Sequence, residues 1–96
     1  MRFTLRQLQV FLAVAHYENV TQAASSLALS QSAASTALKE LEQRYSTQLF
    51  DRAGKRLQLT EQGQIMRPKA DALLAQAEEC DRNLDRHASI GHLRVG

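Results

Sequence analysis

Ser32, Thr36, Lys39 and Gln43 recur at i, i+4, i+7 and i+11, a spacing that gathers side chains on one face of a helix. Three uncharged hydrogen-bonding groups and one cation make an unusual surface. A face turned only to water carries more mixed charge, whereas base edges on the floor of a DNA major groove offer donors and acceptors for such a row. Ala34, Leu38, Leu41 and Tyr45 repeat with the same steps on the opposite side and form an apolar stripe. An amphipathic helix is also an ordinary packing unit, so periodicity alone leaves two readings open. Enzymatic chemistry is the weakest alternative. His16, His87, His92 and Cys80 lack metal-ligand spacing, and no carboxylate pair or nucleophile arrangement stands out. We therefore expect no catalytic residue, no metal site and no enzyme.

The elements that hold this row have local signals. Ser30 is placed to cap the helix that carries it, which then runs to about Tyr45. A shorter helix precedes it, from Gln22 to about Leu27, with Thr21 as its expected cap and Ala28-Leu29 as the turn between the two. Ala23, Ala24 and Leu27 give this helix its inward face. Its start, at Thr21 and Gln22, offers unpaired N–H groups to a phosphate. The pair reads as a helix-turn-helix over about 20–39, with the recognition helix second, about 31–45. Thr4 is the expected cap of a first helix reaching Tyr17, whose stripe of Leu5, Leu8, Phe11, Leu12 and Ala15 backs the pair. Arg2 and Arg6 at its start could touch phosphate, though solvated charge is the commoner role of surface cations. His16 near its end, where the helix dipole favours a cation, is given no ligand role.

After Tyr45 the period changes from helical to alternating. Leu49–Arg52 and Arg56–Thr60 read as two short strands around Ala53-Gly54-Lys55, with Leu57 and Leu59 facing one way and Arg56 and Gln58 the other. Arg52, Lys55 and Arg56 surround the hairpin tip. Directly behind a recognition helix, a basic hairpin is the wing of a winged helix, suited to the minor groove or its phosphates. A module that only dimerises has no need of these three cations.

Thr60 then caps a long helix from Glu61 to about His87. Met66, Ala70, Leu73, Ala77, Cys80 and Leu84 follow one another by alternating steps of four and three, a coiled-coil seam that Leu74 widens. A small head cannot bury such a stripe, so we expect a homodimer through this helix, with Cys80 as an apolar filler. A stripe folded back onto the head is the competing expectation. Gly63 weakens the first turns, and Pro68 should kink or restart the helix. Residues 89–96 break the helical pattern and look like the first strand of a missing domain.

Ninety-six residues amount to one small domain. The formal net charge is +2, unevenly placed: residues 1–60 hold seven basic against four acidic side chains, and residues 61–96 hold five against six. A basic front on a near-neutral tail fits a polyanion-binding head. The single cysteine excludes an internal disulfide. The N-terminal stretch lacks the shape of a signal peptide, and no run is long enough for a membrane span, so a cytoplasmic protein is expected.

Several segments together resemble the N-terminal domain of LysR-type transcriptional regulators. They are LRQLQVFLAVA in the first helix, TQAASSLALSQSAAS across the helix-turn-helix, LKELE in the recognition helix, QLFDRAGKRLQLTEQG through the wing, and GHLRVG at the end. The resemblance implies a mainly α fold: a winged helix-turn-helix over 1–60 (three-helix core plus two-stranded wing), then a dimerising linker helix over 61–88. Residues 89–96 would begin a missing effector-binding domain. It further implies bacterial transcription regulation by homodimers or tetramers on dyad-symmetric double-stranded DNA. A small-molecule effector would bind the missing domain, leaving this fragment without a cofactor. By position, Gln31, Ser32, Ser35 and Thr36 match base-reading and groove-edge positions. Thr21 and Gln22 match phosphate contacts, Lys39 matches a position that reaches the backbone, and Arg52, Lys55 and Arg56 match the wing. Four positions depart from the family pattern, which often has proline at 32, a larger aliphatic at 34, arginine at 36 and glycine at 46. Thr36 cannot make the bidentate guanine contact of an arginine. Ser46 in a left-handed conformation would cost about 1 kcal/mol relative to glycine.

Overall fold

A computed structural model describes the backbone of residues 1–95 and the side chains of residues 1–87. Three helices form a head: α1 (Leu5–Tyr17), α2 (Val20–Ser26) and α3 (Gln31–Arg44). A two-stranded antiparallel hairpin follows, β1 (Phe50–Ala53) and β2 (Arg56–Leu59), and then one long helix, α4 (Glu61–Val95). This is the mainly helical, winged helix-turn-helix architecture expected from the sequence.

The caps explain most boundaries. Thr4 and Gln7 form a reciprocal capping box at α1: the Gln7 backbone N–H donates to Thr4 Oγ1 at 3.1 Å, and the Thr4 N–H to Gln7 Oε1 at 3.0 Å. Ser30 caps α3 as expected, accepting from the Ala33 N–H at 3.1 Å. The start of α2 differs from expectation. Asn19, not Thr21, is the cap; its Oδ1 accepts from the Gln22 N–H at 2.9 Å. The reason lies one residue earlier, where Glu18 takes φ 56 and ends α1 in a left-handed turn. That turn delivers Asn19 already extended, so α2 begins at Val20 and Thr21 falls inside its first turn.

The ends of α2 and α3 share one solution. Ala28 takes φ 57; its N–H donates to the Ser25 carbonyl at 3.1 Å, and the Leu29 N–H to the Ala24 carbonyl at 2.8 Å. Ser46 takes φ 47, with the Ser46 N–H on the Gln43 carbonyl at 3.2 Å and the Thr47 N–H on the Glu42 carbonyl at 3.0 Å. Both are Schellman closures that satisfy helix-end carbonyls. Glu42 then receives the outgoing chain: its carboxylate accepts from the Leu49 N–H at 2.6 Å and the Phe50 N–H at 3.3 Å.

In the hairpin Phe50 faces Leu59 and Ala53 faces Arg56, leaving Gly54-Lys55 as a two-residue turn with Gly54 at φ 66. Leu57 and Leu59 are half-buried while Arg56 and Gln58 are exposed, as the alternation requires. The core joins Leu8, Val10, Phe11 and Val14 of α1 to Ala23 and Ala24 of α2, Ala34, Leu38 and Leu41 of α3, Leu49, and Phe50 of the wing. Val10 and Val14 lie outside the expected α1 stripe, and Leu5, inside it, is 48% exposed. The helix is covered on several sides, by α2, α3, α4 and β2, which one stripe cannot describe.

Thr60 caps α4, its hydroxyl accepting from the Gly63 N–H at 3.1 Å and donating to the Gln48 carbonyl at 2.7 Å. Helix α4 passes through Pro68 without interruption and continues to Val95. The expected break near Ser89 and the strand after it are therefore corrected. A lone strand has no partner for its backbone groups, whereas a helix satisfies them within the segment. Gly96 lies outside the described residues. No helix among the described residues is long and apolar enough to cross a membrane.

The seam also divides. Ala70 is fully buried in the head's own core, and Met66 and Leu74 pack half-buried against it. Ala70, expected on the dimer seam, thus fills the head's own core and has no free surface in this chain. Further along, Ala77 is half-buried and Cys80 exposed, while Leu73 and Leu84 are 45% and 68% exposed.

Candidate nucleic-acid interface

Helix α3 turns its polar row outward, as the spacing requires. Gln31, Ser32, Thr36, Lys39 and Gln43 are exposed, while Ala34, Leu38 and Leu41 of the opposite row are buried. Ser35 is half-buried between the two rows, so its hydroxyl reaches outward less than that of Thr36. Ser32 Oγ lies 3.3 Å from the capping Ser30 Oγ, which leaves two of its hydrogen-bonding directions for other partners. The outward face of α3 thus carries hydroxyl and amide groups with Lys39 as its cation.

Thr21 and Gln22 stand exposed on the first turn of α2. The Gln22 N–H is already taken by Asn19 Oδ1, so the expected row of unpaired donors is shorter by one. What this turn presents is chiefly the Thr21 hydroxyl and the Gln22 amide.

The wing brings its cations to the head unequally. Arg52, Lys55 and Arg56 are all exposed. Strand alternation puts Arg52 on the face of its cross-strand partner Leu57, and Arg56 on the other face. The three cations are therefore spread around the hairpin rather than forming one patch. Arg56 alone forms an ion pair among the described residues, its guanidinium 3.5 Å from the Glu18 carboxylate. The Leu57 N–H also donates to the Glu18 carbonyl at 3.0 Å, so β2 is tied to the corner between α1 and α2. This attachment fixes the wing to the residue that precedes the α2 cap, three positions before Thr21.

Sequence reading missed two positioning contacts. Glu18 carries no signal in the sequence, because its partner Arg56 lies in a different element. Arg2 and Arg44 were not assigned to the site, yet they fix the far end of α3. The Arg2 N–H donates to Tyr45 Oη at 3.3 Å, the Arg2 guanidinium carbon lies 4.8 Å over the Tyr45 ring, and Arg44 donates to the Arg2 carbonyl. Arg2 and Tyr45 stand 43 positions apart, so nothing local in the chain signals this contact.

Residues 5–64 match the family described as bacterial regulatory helix-turn-helix protein, lysR family. The match spans all three head helices and the whole wing. The chain belongs to the LysR family. Within that family it is 52% identical over 82 residues to the uncharacterized HTH-type transcriptional regulator YeiE of Escherichia coli, covering 85% of this chain and 28% of that protein. Two solved structures resemble it closely. The BenM DBD–benA site 1 DNA complex superposes with a TM-score of 0.80 at 29% identity, covering 91% of this chain and 98% of that one. Vibrio fischeri DarR in complex with DNA superposes with a TM-score of 0.81 at 29% identity, covering 94% of this chain and 31% of that one. The chain spans about three-tenths of the length of the curated relatives it matches first. This LysR-family head therefore has the fold of protein chains solved on DNA, and its relatives carry the names of transcriptional regulators rather than enzymes.

Proposed function

We propose that this chain is the DNA-reading part of a transcriptional regulator. Helix α3 enters the major groove with Gln31, Ser32 and Thr36 toward base edges, Ser35 at the groove edge and Lys39 toward a phosphate. Thr21 and Gln22 contact the backbone from α2, and Arg52 and Lys55 contact it or the minor groove from the wing. The exposed polar row on α3, opposite a buried one and flanked by a basic hairpin, is the observation that supports this reading most. The chain acts as a homodimer through the outer part of α4, where Leu73, Ala77, Cys80 and Leu84 keep the four-three-four spacing of a helical seam. Two heads related by a dyad would address major grooves about 34 Å apart or a multiple of that. A small-molecule effector acting on a domain beyond residue 96, and assembly into tetramers, complete the proposal for the whole protein, with the cytoplasm as its compartment.

Point variants separate the roles. Lys39→Ala and Arg52→Ala should weaken binding to every duplex and lower the salt slope by about 0.9 per lost phosphate contact. Thr36→Ala should change which bases are preferred and leave the slope in place. Fluorescence-anisotropy titrations over a salt series measure both quantities. A uniform loss from Thr36→Ala, with no change in preference, would remove that residue from base reading.

A further inference from the structure

Glu18 adopts φ 56, a left-handed conformation that disfavours any residue with a Cβ and that glycine takes freely. Its backbone does two jobs there: the N–H closes α1 onto the Val14 carbonyl at 2.7 Å, and its own carbonyl accepts from Leu57 at 3.0 Å. Glycine could do both. The side chain therefore needs a separate explanation, and strained positions of this kind often mark function. It makes one contact of note, the 3.5 Å ion pair with Arg56. The Arg56 side chain is 73% exposed, and such a pair contributes little to stability. The pair joins the wing to the corner between α1 and α2, three positions before Thr21, which is proposed above to contact the phosphate backbone.

We infer that Glu18 is an affinity-setting residue: its carboxylate withholds the Arg56 guanidinium from DNA phosphate. Arg52 and Lys55 have no ion-pair partner among the described residues and remain free for the backbone. Sequence-independent binding comes almost entirely from phosphate neutralisation, so an acid that occupies one wing arginine trims that part of the affinity. Contacts to base edges from α3 are untouched. The consequence is a larger ratio between selected and unselected DNA, the quantity that matters against a genome of competing sites. The inference rests on the DNA-reading role proposed above.

The test is a double-mutant cycle of wild type, Glu18→Gln, Arg56→Gln and the double variant, titrated against a mixed-sequence duplex across a salt series. Glu18→Gln keeps the backbone acceptor and releases the guanidinium. It should bind more tightly at low salt and steepen the slope by about 0.9 per head, an extra loss of about 3.5-fold between 50 and 200 mM salt. Glu18→Gly should do the same while relieving the left-handed strain, which guards against a folding defect in the glutamine variant. In the Arg56→Gln background the gain should vanish. An unchanged slope in both Glu18 variants overturns the inference alone. So does an equal gain with and without Arg56, since Glu18 would then act only as a negative charge near DNA. Absence of binding by wild type even at low salt overturns the DNA-reading role and the inference with it.

Discussion

At Gly63 a missing methyl group sets how closely α4 approaches the head. A Cβ there would fall 2.4 Å from the Leu49 carbonyl oxygen and 2.8 Å from Leu59 Cδ2. The nearer atom belongs to backbone that is fixed twice, by Glu42 on the Leu49 N–H and by the Thr60 N–H on the Leu49 carbonyl. Alanine has the better helix propensity by about 1 kcal/mol, but overpacking typically costs about 1–3 kcal/mol. The collision should win. Gly63→Ala is expected to lower the urea midpoint, and an unchanged or raised midpoint would mean that α4 can move off Leu49. In the sequence this glycine reads only as a weak place in a helix, because the atoms that require it come from another element. Glu18 is hidden for the same reason: nothing near it in the chain announces Arg56. The exposed polar row of α3 is the opposite case. Ser32, Thr36, Lys39 and Gln43 were legible because their relation depends on helical spacing alone.

Elements with local signals on both sides were legible to within a residue or two. The capping box of Thr4 and Gln7, the cap at Ser30 and the glycine turn at Gly54 each decide their own boundary. The start of α2 was harder, since Asn19 and Thr21 can both cap and the left-handed Glu18 chooses between them. Asn19→Ala should therefore cost about 1 kcal/mol, the usual value of a lost cap, while Thr21→Ala should leave stability nearly unchanged. Urea unfolding of the two variants distinguishes them, and the reverse order would restore Thr21 as the cap. The end of α4 was misread because residues 89–96 alternate like a strand. Alternation marks a strand only where a neighbour exists to pair with it.

As a whole the chain is a head with a projecting rod, 57 Å along its longest axis. The 35 residues of α4 account for most of that length at about 1.5 Å per residue. Its apolar stripe serves two tasks in succession: Met66, Ala70 and Leu74 close the head, and Leu73, Ala77, Cys80 and Leu84 extend beyond it. The expectation of a stripe folded back onto the head thus holds over the first part of this helix, and the outer part is the stretch proposed for the dimer. Leu84→Glu should lower the dimer fraction in sedimentation equilibrium without changing the folding of the head. Ala70→Leu should instead destabilise the head by about 1–3 kcal/mol, through overpacking of a filled site. Equal self-association of wild type and Leu84→Glu would take Leu84 out of the dimer contact.

The most direct test of the central claim is selection of bound duplexes from a randomised pool, followed by sequencing of the bound fraction. The proposed geometry predicts an enriched dyad-symmetric motif, with half-sites whose centres lie about one helical turn apart or a multiple of it. Thr36→Ala should alter the bases inside each half-site and leave their spacing unchanged. Binding without enrichment, equal for all sequences, would contradict a base-reading role for α3 and reduce the helix pair to a packing unit on a basic head.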